Sequence, residues 1–245
     1  MISKNSINNI VRKLHLDGFI ESHKMLLRDN RGGFLIPFEV KITDKEYERY
    51  RHLPIDWSLS PITKEDLPEE FSEKAVKTVD IFRRKTIGLN FECLIYFDID
   101  NGNIISCNFA DKDNPDKVSS DIFSDVLTNM SIASIHNHPI QYYSPPSGKN
   151  FEMLGLDFEE YEIIVSKNEL WILESKEIIF TDGEITAIRH KAKDFFVSIS
   201  TDMNIEFKNG YQTIDAIDKL YGDFLLNYLN NNYDNINLSR RYLDG

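Results

Sequence analysis

The chain has 245 residues, 41% hydrophobic and 12% aromatic, enough for a sizeable buried core and too apolar for a disordered chain. Its net charge of −12 and pI near 5.0 exclude nucleic acid as a default partner, because nonspecific binding there depends on Lys and Arg neutralising phosphates. Cys93 and Cys107, the only two cysteines, read as reduced core residues; with no N-terminal apolar signal and no run near the ~20 apolar residues of a membrane span, a cytoplasmic, membrane-free protein is expected.

Ile7, Ile10, Val11, Leu14 and Leu16 have helical spacing and lead into Asp17-Gly18, a helix-stop signal. Phe19 to Phe38 then reads as short strands turning at Asp29-Asn30-Arg31-Gly32-Gly33. One helix before a hairpin, without a basic face, falls short of a winged-helix DNA binder. Residues 41–70, with Pro54, Pro61 and Pro68 among many charges, read as a linker or brace with a capped turn at Thr63-Lys64-Glu65-Asp66.

From Phe71 the pattern is more regular. A helix passes through Ala75, Val76, Val79 and Phe82. A strand follows at Phe91 to Ile99, turns at Asp100-Asn101-Gly102-Asn103 and returns at Ile104 to Phe109. Val118 to Met130 places Ile122, Phe123, Val126 and Leu127 on one helical face, and Ser131 to His138 is a short buried strand. After a proline-rich loop, Phe151 to Leu156 suggests a brief helix, and Tyr161 to Val165 with Leu170 to Leu173 a second hairpin across Lys167-Asn168. Glu184 to Ile199 and Thr213 to Tyr228 read as helices. Interleaved helices and strands predict an α/β mixed sheet, within a division into an accessory segment (1–70), a central domain (71–182) and a helical C-terminal extension (183–245).

Of six histidines, at 15, 23, 52, 136, 138 and 190, only His136 and His138 have ligand spacing. On a strand, residues i and i+2 project to the same side, so two buried imidazoles can converge on one ion, and zinc favours such nitrogen ligands. Pro139 ends the strand and sets the exit of the following loop. A His-Asn-His string also evokes an HNH nuclease, but the further ligand on a following helix is absent and the chain is acidic.

The order His136-Asn137-His138-Pro139, a loop with prolines, then Ser147-Gly148-Lys149-Asn150, preceded by a glutamate on an upstream strand, resembles the JAMM/MPN (JAB-type) metalloproteases, particularly their prokaryotic and phage-type members, over roughly residues 75–175. The resemblance implies a JAMM/MPN-like, cytidine deaminase-like mixed sheet flanked by helices. It implies a Zn2+ cofactor held by His136, His138 and the residue at 150, Ser147 at the oxyanion, and Glu92 as general acid/base, with Asp98 and Asp100 as rival carboxylates. Asn150 stands where the family has aspartate; Glu152 and Asp157 are nearby acids that could substitute. The implied activity is peptidase or isopeptidase cleavage of a protein or peptide, with a ubiquitin-like conjugate, a processed phage or mobile-element protein and a plain peptide left open. Tyr142 and Tyr143 could touch such a substrate or simply cover the sheet's apolar rim. The alternative reading is a weak or inactive JAMM-fold scaffold that binds another protein, with which Asn150 is consistent.

Overall fold

A computed structural model describes residues 25–27, 36–38, 45–111, 113–115, 118, 131–139, 144–155, 159–166, 168–176, 180–207 and 214–243. The helix expected over residues 7–16, and all but Val118 of the one expected over 118–130, fall outside these residues. β1 (Met25–Leu27) and β2 (Ile36–Phe38) pair antiparallel, with Leu27 opposite Ile36, as the turn at residues 29–33 suggested.

The charged stretch after them contains a helix that periodicity does not announce, α1 (Lys45–Arg51). Its C-terminal carbonyls lack partners within the helix, and a distant lysine supplies them: Lys85 Nζ donates to the carbonyls of Tyr50 and Arg51 at 2.9 and 2.7 Å, and to that of Leu53 just beyond the helix at 3.2 Å. Tyr50 stacks on Phe82, ring centroids 6.0 Å apart. Further along, Asp66 Oδ2 accepts from the N–H and hydroxyl of Thr63 at 2.7 and 2.9 Å, closing the expected capped turn at Lys64–Asp66.

α2 (Glu73–Thr86) starts at Ser72, whose Oγ accepts from Ala75 N at 3.2 Å. This satisfies one of the free donors at the helix start. Ala75, Val76, Val79 and Phe82 are buried, spaced as one helical face. The main sheet contains β3 (Cys93–Asp98), β4 (Ile104–Phe109), β5 (Ile132–Asn137), β6 (Glu159–Val165), β7 (Glu169–Ser175) and β8 (Ile236–Tyr242). Its order is β4-β3-β5-β6-β7-β8. Of its pairings only β5 with β6 is parallel. A parallel pair needs a crossover, and here the crossover includes the proline-rich loop and a 3-10 helix over Asn150–Gly155.

Alternation assigns the two faces. Ile95, Phe97, Ala133, Ile135, Ile163 and Val165 pack with α2, Phe71, Tyr50 and Ile62. On the other face Ile164, Trp171, Leu173, Ile236 and Leu238 pack with Phe151, Leu154 and the buried sides of α3 (Asp182–Phe207) and α4 (Ile214–Asn232). Gly222 lets α4 lie close: a Cβ there would be 2.7 Å from the Trp171 ring.

The extension expected to be helical throughout in fact ends in a strand. Residues 236–242 contribute an edge whose register, Ile172 opposite Ser239 and Leu173 opposite Leu238, is settled by backbone pairing with β7. Its sequence, Ile236-Asn237-Leu238-Ser239-Arg240-Arg241-Tyr242, has a period-2 start that two arginines then obscure. The result is a mixed α/β fold with a six-stranded mixed sheet and, among the described residues, four α-helices.

Candidate functional site

His136 and Ser134 point to the face of β5 opposite Ile135 and Ala133, as period 2 requires. His138 follows the strand end, its backbone N–H still donating to Val165 O at 2.9 Å. Both rings are buried, at 4% and 7% exposure. Their Nε2 atoms lie 3.2 Å apart, with ring centroids 5.1 Å apart. Two nitrogens bound at about 2.0–2.1 Å to one tetrahedral zinc are about 3.3 Å apart, so the histidine pair fits two corners of such an ion.

Asn150 meets the same point from the crossover. Its Oδ1 accepts from the Ser147 backbone N–H at 2.6 Å and hydroxyl at 2.8 Å. Because both Ser147 groups need an acceptor, the amide oxygen faces Ser147 and the amide nitrogen faces the histidines, 3.2 Å from His136 Nε2. That nitrogen also donates to Glu162 Oε1 at 2.8 Å. As it stands, Asn150 offers an N–H where a ligand would offer a lone pair; ligation through Oδ1 requires the amide to turn over and give up both Ser147 bonds. Among the described residues, no group of three His, Cys, Asp or Glu side chains is arranged to hold a metal ion. A cation on the two imidazoles would therefore complete its shell with an amide oxygen, solvent or substrate.

Glu162 is the acid that motif reading overlooks. It lies on β6 opposite Ser134 and is 7% exposed. Its Oε1 is 3.5 Å from His136 Nδ1, and its Oε2 is buried with no hydrogen-bond partner among the described residues. Next to it Glu159 accepts a hydrogen bond from the Ser134 hydroxyl, the register shift between Ile132 and Ala133 having displaced the two strands. The sequence signal was three glutamates within the run Glu159-Glu160-Tyr161-Glu162-Ile163-Ile164-Val165, where a half-exposed strand would place at most the outward ones.

The electrostatics follow from burial. Burial pushes the Glu162 carboxyl well above the carboxylate range, and the Glu159 charge adds to this, against the Asn150 hydrogen bond; the Glu92 charge is a smaller contributor. Glu159 is pushed up to about 7, again by burial, with the Ser134 bonds opposing. Burial, then the charges of His138 and Lys149, holds His136 well below its ordinary value and so neutral, the form a metal ligand requires.

Glu92 immediately precedes β3, half-buried and within electrostatic reach of Glu162. What holds it there is Asn137, the residue between the histidines. Asn137 points to the other side of β5 and is fully buried; its Oδ1 accepts from Cys93 N at 2.7 Å and its Nδ2 donates to Phe91 O at 3.1 Å. The backbone on either side of Glu92 is thereby fastened to the strand that carries the histidines. Asp98 lies opposite Ile132, four residues along β3 from Leu94, which pairs with His136, and so about 13 Å from the histidine end at strand rise. Its carboxylate is engaged by Asp100 N, Asn101 N and Asn101 Nδ2 in the hairpin turn. Glu152 is half-exposed and ion-paired with Arg189 at 2.7 Å. Asp157, Tyr142 and Tyr143 lie outside the described residues.

The structure thus brings His136, His138 and Asn150 into contact, with Ser147 against Asn150 and Glu92 within electrostatic range of Glu162. No protein-family model, curated protein or solved structure matches the chain.

Proposed function

We propose that this protein is a zinc-dependent amide hydrolase of the JAMM/MPN type, a peptidase or isopeptidase acting on a protein or peptide. The observation that carries the reading is the 3.2 Å separation of the Nε2 atoms of two buried histidines, of which His136 is held in the neutral form by burial. His136 and His138 would hold the ion. When bound, zinc supplies a water acidified to a pKa of about 7 and polarises a carbonyl.

The chain's own groups supply the remaining chemistry. Glu92 takes the proton from the attacking water and passes it to the departing amine, the role of a positioned carboxylate. Asn137 fixes the backbone of Glu92. Ser147 and Asn150 act as a unit: Ser147 donates twice to Oδ1, which aims the amide N–H groups inward, where the one now facing His136 Nε2 would be released by an ion on that nitrogen and could donate to the carbonyl oxygen as charge develops on it.

The second reading is a catalytically silent JAMM-like scaffold for another protein, and the observation favouring it is the amide nitrogen of Asn150 facing the histidines. Zinc content separates the two. Hydrolase function predicts about one equivalent of zinc, lost in His136→Ala, a rise in affinity in Asn150→Asp, and cleavage of an isopeptide or peptide library abolished by Glu92→Gln with zinc retained. A protein that takes up no zinc at micromolar concentrations overturns the hydrolase and leaves the scaffold.

A further inference from the structure

The chain that leaves the sheet at His138 is fastened to it again at Ser144, ahead of the Ser147 to Asn150 turn. His138 N donates to Val165 O at 2.9 Å and Ser144 Oγ is 2.6 Å from Ser166 Oγ, so the loop departs from and returns to neighbouring residues at the end of β6. Two further elements hold it. From β7, Glu169 Oε2 accepts from the Ser144 hydroxyl at 2.6 Å and from Trp171 Nε1 at 2.9 Å; Arg240 on β8 stands 4.0 Å from the other carboxyl oxygen and pairs with Asp223 of α4 at 2.5 Å. From α4, Asp218 Oδ2 accepts from Ser144 N at 3.0 Å. Side chain and backbone of one loop residue are both taken up, and none of these partners belongs to the motif.

The grip reaches the histidines through two prolines. Pro145 and Pro146, both buried, separate Ser144 from Ser147. Each fixes its own φ, and each turns the residue before it, here Ser144 and Pro145, away from the helical region. A link with so few conformations carries the place of Ser144 to Ser147, which donates twice to Asn150 Oδ1 and so sets the amide that faces His136. On the other side of the turn α3 stands close, a Cβ on Gly148 falling 3.6 Å from Arg189 O.

We propose that Ser144 is a positioning residue of this centre, the anchor through which β7 and α4 hold Ser147 and Asn150 at the histidine pair. The inference rests on the zinc reading above, which it deepens. The C-terminal extension is then part of the construction of the site, with Asp218 helping to fix how near Ser147 and Asn150 come to the ion.

The test uses the full chain, isotope-labelled and metal-free, carrying Ser144→Ala and Asp218→Ala together, which removes the side-chain and the backbone hold at once. Nuclear Overhauser cross-peaks between the Asn150 side-chain amide and the His136 ring are expected to lose most of their intensity, while those joining β5 to β6 around Ile135 and Ile163 persist. A merely structural role for Ser144 would weaken both sets together. With zinc loaded, kcat on a library peptide that the wild type cleaves is expected to fall by up to about 100-fold, the cost of a misplacement of roughly 1 Å, with zinc content kept and KM little changed. Should the double variant fail to fold, Ser144→Ala alone, which keeps the Asp218 bond, replaces it with the same expected direction. Unchanged cross-peaks between Asn150 and His136 in the folded variant overturn the proposal, as does their loss together with the β5 to β6 set. Because the cross-peaks need no metal, a wild-type protein that takes up no zinc defeats the hydrolase reading while they still decide Ser144.

Discussion

Glu159 and Glu162 are both on β6 and both buried, an arrangement that makes stability depend on pH. The folded-state value of about 7 for Glu159 lies above its ordinary 4.5. Between those values the folded protein retains a proton that the unfolded chain has released, so stability declines as pH rises through the window, by about 3 kcal/mol in all. Glu162 acts in the same direction. His136 acts in the opposite one: its folded-state value is depressed, so its contribution is present above about 6.5 and is lost as pH falls. Glu159→Gln keeps an acceptor for Ser134 and removes the titrating group. Urea unfolding from pH 4.5 to 8 should show the variant gaining on the wild type by about 3 kcal/mol across the range. A difference that stays constant with pH would show that Glu159 is ionised in the folded protein from the acid end onward.

Among the elements, the β3–β4 hairpin and α2 depend on each other. Gly102 adopts φ +72°, and a Cβ there would be 2.5 Å from Lys74 O in the first turn of α2. Thr78 Oγ1 donates to Gly102 O at 2.8 Å, so turn and helix are in direct contact. Gly102→Ala combines a left-handed backbone cost of about 1–2 kcal/mol with displacement of the helix start, and thermal unfolding should show a loss of at least about 2 kcal/mol. A variant as stable as wild type would mean that the turn can move away from α2. The hairpin was legible because Asp100-Asn101-Gly102-Asn103 is turn chemistry between two apolar runs. α1 was not, since its helical state rests on Lys85, 35 positions from Tyr50, and on burial of Tyr50 by Phe82, neither of which leaves a local pattern.

For the molecule as a whole, the C-terminal segment completes the sheet. β8 covers the edge of β7, and Arg240 Nη2 pairs with Asp223 on α4 at 2.5 Å. Asn230 brackets Leu238 from α4 as well, donating to its carbonyl and accepting from its N–H, each at 2.8 Å. Deleting residues 233–245 should expose the backbone of β7 and the side chains that Ile236 and Leu238 cover. An uncovered edge of this kind templates association, so size-exclusion chromatography should find the truncated chain in oligomers or aggregates. Recovery as a monomer with native-like circular dichroism would show that β8 is dispensable to the sheet.

From its sequence alone the protein's main alternation was readable. Strands 91–99, 104–109, 131–138 and the hairpin around 167–168, the helix through Ala75 to Phe82 and the two long C-terminal helices all carry their period locally, since each buries a face along its own length. The pairing of His136 with His138 on one side of a strand was readable for the same reason. Tertiary structure alone decided that Asn137 fastens Glu92 beside them, that Glu162 stands behind His136, and that Asn150 turns its nitrogen inward. Those facts depend on which strands neighbour which, on a register shift between β5 and β6, and on hydrogen bonds between residues 12 to 46 positions apart. Periodicity reports the side of an element that is buried; the partner that waits there is set by the topology of the whole chain.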